Sequence, residues 1–256
     1  MDIEDWRRVM TALAYPFERP GADFLMLGAR VYGIEAAPSL DISAWRLRLA
    51  GRSVPAHEAL AEAGAPSMRL DAMTPVAAAG SNASPPQLAR KFRESPPAPV
   101  IGLRCRLPDV EIHYAAHIAG YGSIPASLER EKGAVAEQFV CFLDPARREA
   151  LHRSEAPGRY YNVVDASGAT PIDAELWRET APRGGFDVLG YSSVAGVVAR
   201  PGRPPLRFAE TSQWAAQEVV IEALGEALSP PEFILQNIAD PSLREAREAR
   251  LAAALR

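Results

Sequence analysis

Val76-Ala-Ala-Ala-Gly-Ser-Asn82 is the stretch on which the fold reading turns. Its apolar start predicts a buried strand over residues 74–79. Its small-residue end predicts a loop whose bare backbone N–H groups face an anion. Farther along, Leu143-Asp-Pro-Ala-Arg-Arg-Glu-Ala-Leu-His-Arg-Ser-Glu155 brings one carboxylate close to the aromatic pair Tyr160 and Tyr161. The two segments together suggest an anion cradle and a base.

Between and around them the pattern predicts a mixed α/β (α+β) core over residues 73–166. A helix over 85–92 opens after Ser84, and strands are expected at 100–106, 110–119 and 135–143. A helix over Pro145–Ser154 takes Asp144 as its N-cap, and a last strand covers 160–164. Residues 1–72 read as an N-terminal accessory segment with a helix over 4–15, breaks at Pro16 and Pro20, an apolar stretch at 24–32 and a helix over 56–63. No catalytic group is expected from it, and His57 reads as a surface residue. Residues 167–256 read as a C-terminal extension packing on the core. It holds Leu176-Trp177, a Gly184-Gly185 turn, a strand-like 186–198 and a helix over 212–228 that Ser229-Pro-Pro231 stops. A solvated terminal helix over 241–256 follows, rich in Ala, Arg and Glu.

Composition narrows the function classes. With 256 residues, 48% of them hydrophobic, the chain can bury a sizeable core. Its 28 basic and 32 acidic residues argue against a nucleic-acid footprint and point to a small-molecule or protein partner, a small-molecule substrate being the reading taken below. Cys105 and Cys141 lie in apolar strand-like runs and read as buried thiols. The acidic start Met1-Asp-Ile-Glu-Asp-Trp6 lacks the apolar region of a signal peptide, and no apolar run reaches the roughly 18 residues a membrane span needs. A cytoplasmic protein without a membrane partner is the expectation, with the oligomeric state open.

Gly80-Ser-Asn82 after an apolar strand, with Pro85-x-x-Leu88 opening the next helix, resembles the Tyr-Gly-Ser-Asn loop of the γ-glutamylcyclotransferase-like superfamily. Ile124-Pro-Ala-Ser-Leu128, Gly133, the run 135–143, Leu143-Asp144, a helix, Glu155 and Tyr160-Tyr161 resemble that family's second half in the same order. The resemblance covers residues 74–165. It implies a small, partly closed β-barrel with flanking helices, the loop backbone of Gly80, Ser81 and Asn82 gripping a glutamyl head group. It also implies Glu155 as the general acid/base that cyclises a γ-glutamyl group to 5-oxoproline, without a cofactor. Two positions depart from the pattern: Ala79 stands where the family has Tyr, and Ala156 where it has Gly. Tyr121-Gly-Ser123 is a candidate replacement for the lost tyrosine.

The chemistry suits these residue types. Attack of an α-amine on a γ-carbonyl requires taking a proton from the ammonium and returning one to the leaving amine, which one carboxylate beside both nitrogens can do. Burial under Tyr160 or Tyr161 is expected to raise the Glu155 pKa toward neutrality. The histidines offer an alternative. His113 and His117 share a strand face, and His152 precedes Glu155 by one helical turn. His113 and His117 lie about 13 Å apart on an extended strand, so one ion cannot bind both. A metal-dependent amide hydrolase using His117, His152 and Glu155 stays open, as does His117 lining a substrate pocket. A third reading is a non-catalytic binding module with the N-terminal segment and the helix over 212–228 as a lid or an oligomer face, although the helix's Trp214, Val219, Val220, Ala223 and Leu224 read as core. The readings part on whether Glu155 is buried beside the 80–82 loop.

Overall fold

In the computed structural model, which describes residues 1–254, the chain opens with helix α1 (Ile3–Leu13), whose N-cap Asp2 accepts the Asp5 N–H at 2.8 Å. Strands β1 (Phe24–Leu27) and β2 (Arg30–Ala36) form a hairpin, β3 (Arg46–Leu49) and β4 (Arg52–Pro55) form another, and α2 (Ala56–Glu62) follows. Next come β5 (Thr74–Ala78), α3 (Pro85–Lys91), β6 (Val100–Tyr114), β7 (Ala126–Leu143) and α4 (Pro145–Ser154). After β8 (Tyr161–Asp165), β9 (Thr170–Pro171) and β10 (Leu189–Ser193), the chain ends in α5 (Gln213–Ala223), α6 (Pro230–Ala239) and α7 (Pro241–Ala254). Leu255 and Arg256, the end of the expected terminal helix, lie outside the described residues.

The mixed α/β class is as expected. One sheet runs in the order β4-β3-β2-β1-β6-β7-β5-β10-β8, with β9 beside β6. Its pairings are antiparallel except β10 with β5. The sheet has two ends, β4 and β8, so the expected partial barrel is not closed.

Two strands expected at 100–106 and 110–119 are a single strand, β6. Pro108, which has no N–H to donate, sits at a register shift where Asp109 takes a positive φ of 54°. The Asp109 carboxylate accepts the N–H of Gly133 on β7 at 2.7 Å, so the facing strand bends to match and the pairing continues. Ser229-Pro-Pro231, expected to stop a helix, starts one instead. Glu232 closes a capping box with Ser229, and α6 follows. The helix expected over 212–228 already stops at Ala223, before Gly225 takes a positive φ of 66°, and Trp214 on it is 43% exposed rather than core.

Residues 1–72 supply four strands of this sheet, β1 pairing with β6. The buried carboxylate of Asp23 ties three regions together: its Oδ1 accepts the Arg104 N–H of β6 at 2.8 Å and its Oδ2 accepts Trp177 Nε1–H at 2.6 Å. Trp177 in turn packs edge-on to Trp45, with ring centres 5.3 Å apart. Among the described residues no helix is long and apolar enough to cross a membrane.

Candidate active site

At the end of β5 the chain leaves the sheet at Ala79 and enters a one-turn 3-10 helix, Ser81–Ala83. Glycine at 80 has a steric cause: a Cβ there would lie 1.9 Å from the hydroxyl oxygen of Tyr15. The loop is tethered underneath by the buried Cys141 thiol, which donates to the Asn82 carbonyl at 3.4 Å. From this loop α3 runs to Lys91 in its last turn, and α4 ends with Glu155 as its C-cap.

These three segments meet at one carboxylate oxygen. Asn82 Nδ2 donates to Glu155 Oε1 at 3.2 Å although the two residues are 73 positions apart. Lys91 Nζ donates to the same oxygen at 2.9 Å and to Asn82 Oδ1 at 2.6 Å. Ser154 Oγ approaches Oε1 at 3.4 Å. Oε2 has no hydrogen-bond partner among the described residues.

The carboxyl was expected to have a raised pKa, and the structure corrects this. Burial does push it up, but the charge of Lys91 and the hydrogen bonds from Lys91, Asn82 and Ser154 outweigh burial and hold it below the usual carboxylate range. Glu155 rests ionised and paired. Sequence reasoning missed Lys91, and one signal for it existed: of the 28 basic residues only Lys91 and Lys132 are lysines.

Around the pair lies a cavity of about 360 Å³, lined by all of the expected substrate-site residues: Gly80, Ser81, Asn82, His117, Tyr121, Tyr160 and Tyr161. His117 stacks on Tyr160 and meets Tyr161 edge-on, both with ring centres at 5.1 Å. Burial lowers its pKa to about 4 against the pull of the Glu155 charge, so it is neutral near pH 7, and its Nδ1 is buried without a partner among the described residues. Tyr161 donates its hydroxyl proton to the Ala126 carbonyl at 3.0 Å. Tyr15, in a segment from which no functional group was expected, also lines the cavity. Its oxygen accepts the Ala126 N–H at 2.8 Å.

The other histidines turn away. His113 Nε2 lies 3.4 Å from Glu131, and His152 Nδ1 is 3.5 Å from the Tyr191 hydroxyl. Among the described residues no three His, Cys, Asp or Glu side chains are grouped to hold a metal ion, so His117, His152 and Glu155 do not form the ligand set considered above.

Both terminal regions hold the Tyr121 wall. Gln213 of α5 brackets Ile124, accepting its N–H at 2.7 Å and donating to its carbonyl at 2.9 Å, while Gln217 donates to the Gly122 carbonyl at 2.7 Å. Ser123 donates to the Ala12 carbonyl of α1 at 2.8 Å, and Glu248 of α7 accepts the Ile118 N–H at 3.0 Å. The helix considered above as a lid braces the site through its buried Gln213 and Gln217.

No family model and no curated protein matches this chain. Among solved structures, an uncharacterized protein from Homo sapiens is similar over 66% of this chain and 88% of its own, with 15% sequence identity and a TM-score of 0.34. A gamma-glutamyl cyclotransferase is similar over 65% of this chain and 87% of its own, with 14% identity and a TM-score of 0.33.

Proposed function

We propose that this cavity cleaves a γ-glutamyl or closely related amide by attack of the substrate's own α-amine on its γ-carbonyl, with Glu155 as general acid/base and no cofactor. One observation carries the reading: the 80–82 loop, the end of α3 and the end of α4 converge on Oε1 of Glu155, a cavity-lining residue, and leave its Oε2 without a partner among the described residues. A carboxylate held ionised with one oxygen saturated is a base with a single defined atom.

Oε2 takes a proton from the substrate ammonium, and the freed amine attacks the γ-carbonyl carbon, forming the ring C–N bond. The carbonyl electron pair moves to oxygen and returns as the original amide C–N bond breaks, while Glu155 gives its proton to the leaving nitrogen. The second proton, left on the ring nitrogen by the attack, passes to the leaving amine by the same carboxylate, so the products are a neutral five-membered lactam and the leaving amine as its ammonium. The Ser81 and Asn82 N–H groups open their 3-10 turn without an intrahelical partner and serve as donors to the head-group carboxylate. His117, Tyr121, Tyr160 and Tyr161 are the walls, and a volume of about 360 Å³ suits an amino-acid-sized group.

The test is release of 5-oxoproline or free glutamate from a panel of γ-glutamyl amides and peptides. Glu155→Gln keeps the shape and removes the base, so kcat should fall by about a hundredfold or more in a folded protein. Free glutamate as the product would convert the reading to amide hydrolysis. Equal turnover by both proteins would remove Glu155 from the mechanism.

A further inference from the structure

Among the described residues Tyr15 presents to the cavity a hydroxyl fixed by a backbone hydrogen bond while its proton stays uncommitted. The side chain is buried, 7% exposed, and wedged between Phe17, Phe208 and Tyr121 with ring centres at 5.9, 5.8 and 6.5 Å. Its oxygen is spent as an acceptor for the Ala126 N–H at 2.8 Å, which directs the O–H bond away from that amide. No acceptor among the described residues takes the proton. Tyr161, by contrast, has committed its proton to the Ala126 carbonyl. Tyr15 Oη also occupies the space a side chain at position 80 would fill, so it lies directly against the loop that opens the cavity. Burial and then the neighbouring Tyr121 push the Tyr15 pKa well above the ordinary tyrosine value, so the group is a neutral donor throughout the working range.

We propose that Tyr15, through its hydroxyl proton, is the oxyanion donor of this site, hydrogen-bonding the γ-carbonyl oxygen of the substrate as that oxygen gains charge. The assignment rests on the cyclotransferase reading of the cavity. As the α-amine bonds to the γ-carbonyl carbon, the carbonyl π pair moves to oxygen, where the Tyr15 O–H hydrogen-bonds the developing charge. When the pair returns and the amide C–N bond breaks, the donor relaxes with its proton still attached. A donor fixed by Ala126 and three aromatic rings needs no reorganisation at the moment of reaction, which is where such a group contributes most. The N-terminal segment thereby supplies a catalytic residue as well as strands.

The experiment compares native protein with Tyr15→Phe, which removes one oxygen and keeps the ring. With a γ-glutamyl amide as substrate, kcat should fall by about a hundredfold or more with KM little changed, the loss typical of one oxyanion donor. A separate calorimetric titration uses 2-amino-4-phosphonobutyrate, which places a tetrahedral anion at the γ position, against glutamine as the planar control. Tyr15→Phe should weaken the phosphonate by about tenfold and leave glutamine unaffected. Unchanged kcat, or a loss confined to KM, overturns the assignment while leaving the cyclotransferase reading intact. Native protein without turnover overturns that reading, and the titration then judges Tyr15 alone. Selective weakening of the phosphonate supports an anion donor, whereas equal binding by both proteins, or none by either, overturns it.

Discussion

Replacing Lys91 with methionine keeps an unbranched side chain at the end of α3 and removes its charge. The native ammonium lies 2.9 Å from Glu155 with 11% of the lysine and 13% of the glutamate side chain exposed. At an effective dielectric of about 20 that separation corresponds to a gross attraction of roughly 6 kcal/mol, much of it offset by the cost of desolvating two ions. Removing one partner strands the other charge, and the residual exposure places the expected loss near the low end for buried pairs, about 3 kcal/mol at neutral pH. The sign of the pH dependence follows from the carboxyl. In the native protein its folded pKa is depressed, so its contribution is present above the unfolded carboxylate value of about 4.3 and is lost as pH falls through the folded value. In Lys91→Met burial is opposed only by Asn82 and Ser154, the folded pKa rises above the unfolded one, and stability is lost as pH rises between the two. The gap between the proteins therefore opens from acid to neutral pH. Urea denaturation at about pH 3 and about pH 7 reads it directly. Adding Glu155→Gln to Lys91→Met should flatten the variant's profile. A gap of equal size at both pH values would refute the assignment of the ion pair. Turnover offers a second check, since a protonated Glu155 is no base and activity of Lys91→Met should recover as pH rises.

Two further substitutions probe what holds the site. Trp177→Phe removes the 2.6 Å hydrogen bond to Asp23 from the junction of three regions and should cost about 1.5–3 kcal/mol by urea denaturation; a loss well under 1 kcal/mol would mean that Asp23 does not depend on it. Gly80→Ala places a methyl 1.9 Å from Tyr15 Oη, so it should push the hydroxyl off Ala126, lower kcat at least as far as Tyr15→Phe, and cost about 1–3 kcal/mol. Wild-type kcat and stability in that variant would show that Tyr15 does not press on the loop.

Features with a local cause were legible in the sequence. Asp144 caps α4 by accepting the N–H groups of Ala146 and Arg147 at 2.8 and 3.0 Å, an interaction confined to four consecutive residues. The continuity of β6 was not legible, because Pro108-Asp109 is a break or a bulge according to whether the facing strand brings a glycine to meet it. The early half of β7 was missed for a related reason: Glu129-Arg-Glu-Lys132 carries no apolar residue to mark a strand, and pairing with β6 draws the segment into the sheet. Within the site, motif order was enough to bring Asn82 and Glu155 together. Tyr15 was hidden because Pro16 reads only as a helix stop, and nothing local says that the preceding ring reaches across to Gly80.

The misjudged sign of the Glu155 shift has the same origin, since burial can be anticipated from neighbouring aromatics whereas a cation within 3 Å is a fact of tertiary structure. The identity of that cation carries the last step. A chain that uses arginine for all but two of its basic residues has lysine where the carboxylate must be held. An ammonium is a point charge that binds Oε1 and Asn82 Oδ1 from one atom. A guanidinium fork matches both oxygens of a carboxylate at once and would occupy Oε2. Lysine at position 91 keeps Glu155 charged and leaves free the one oxygen the proposed proton transfer requires.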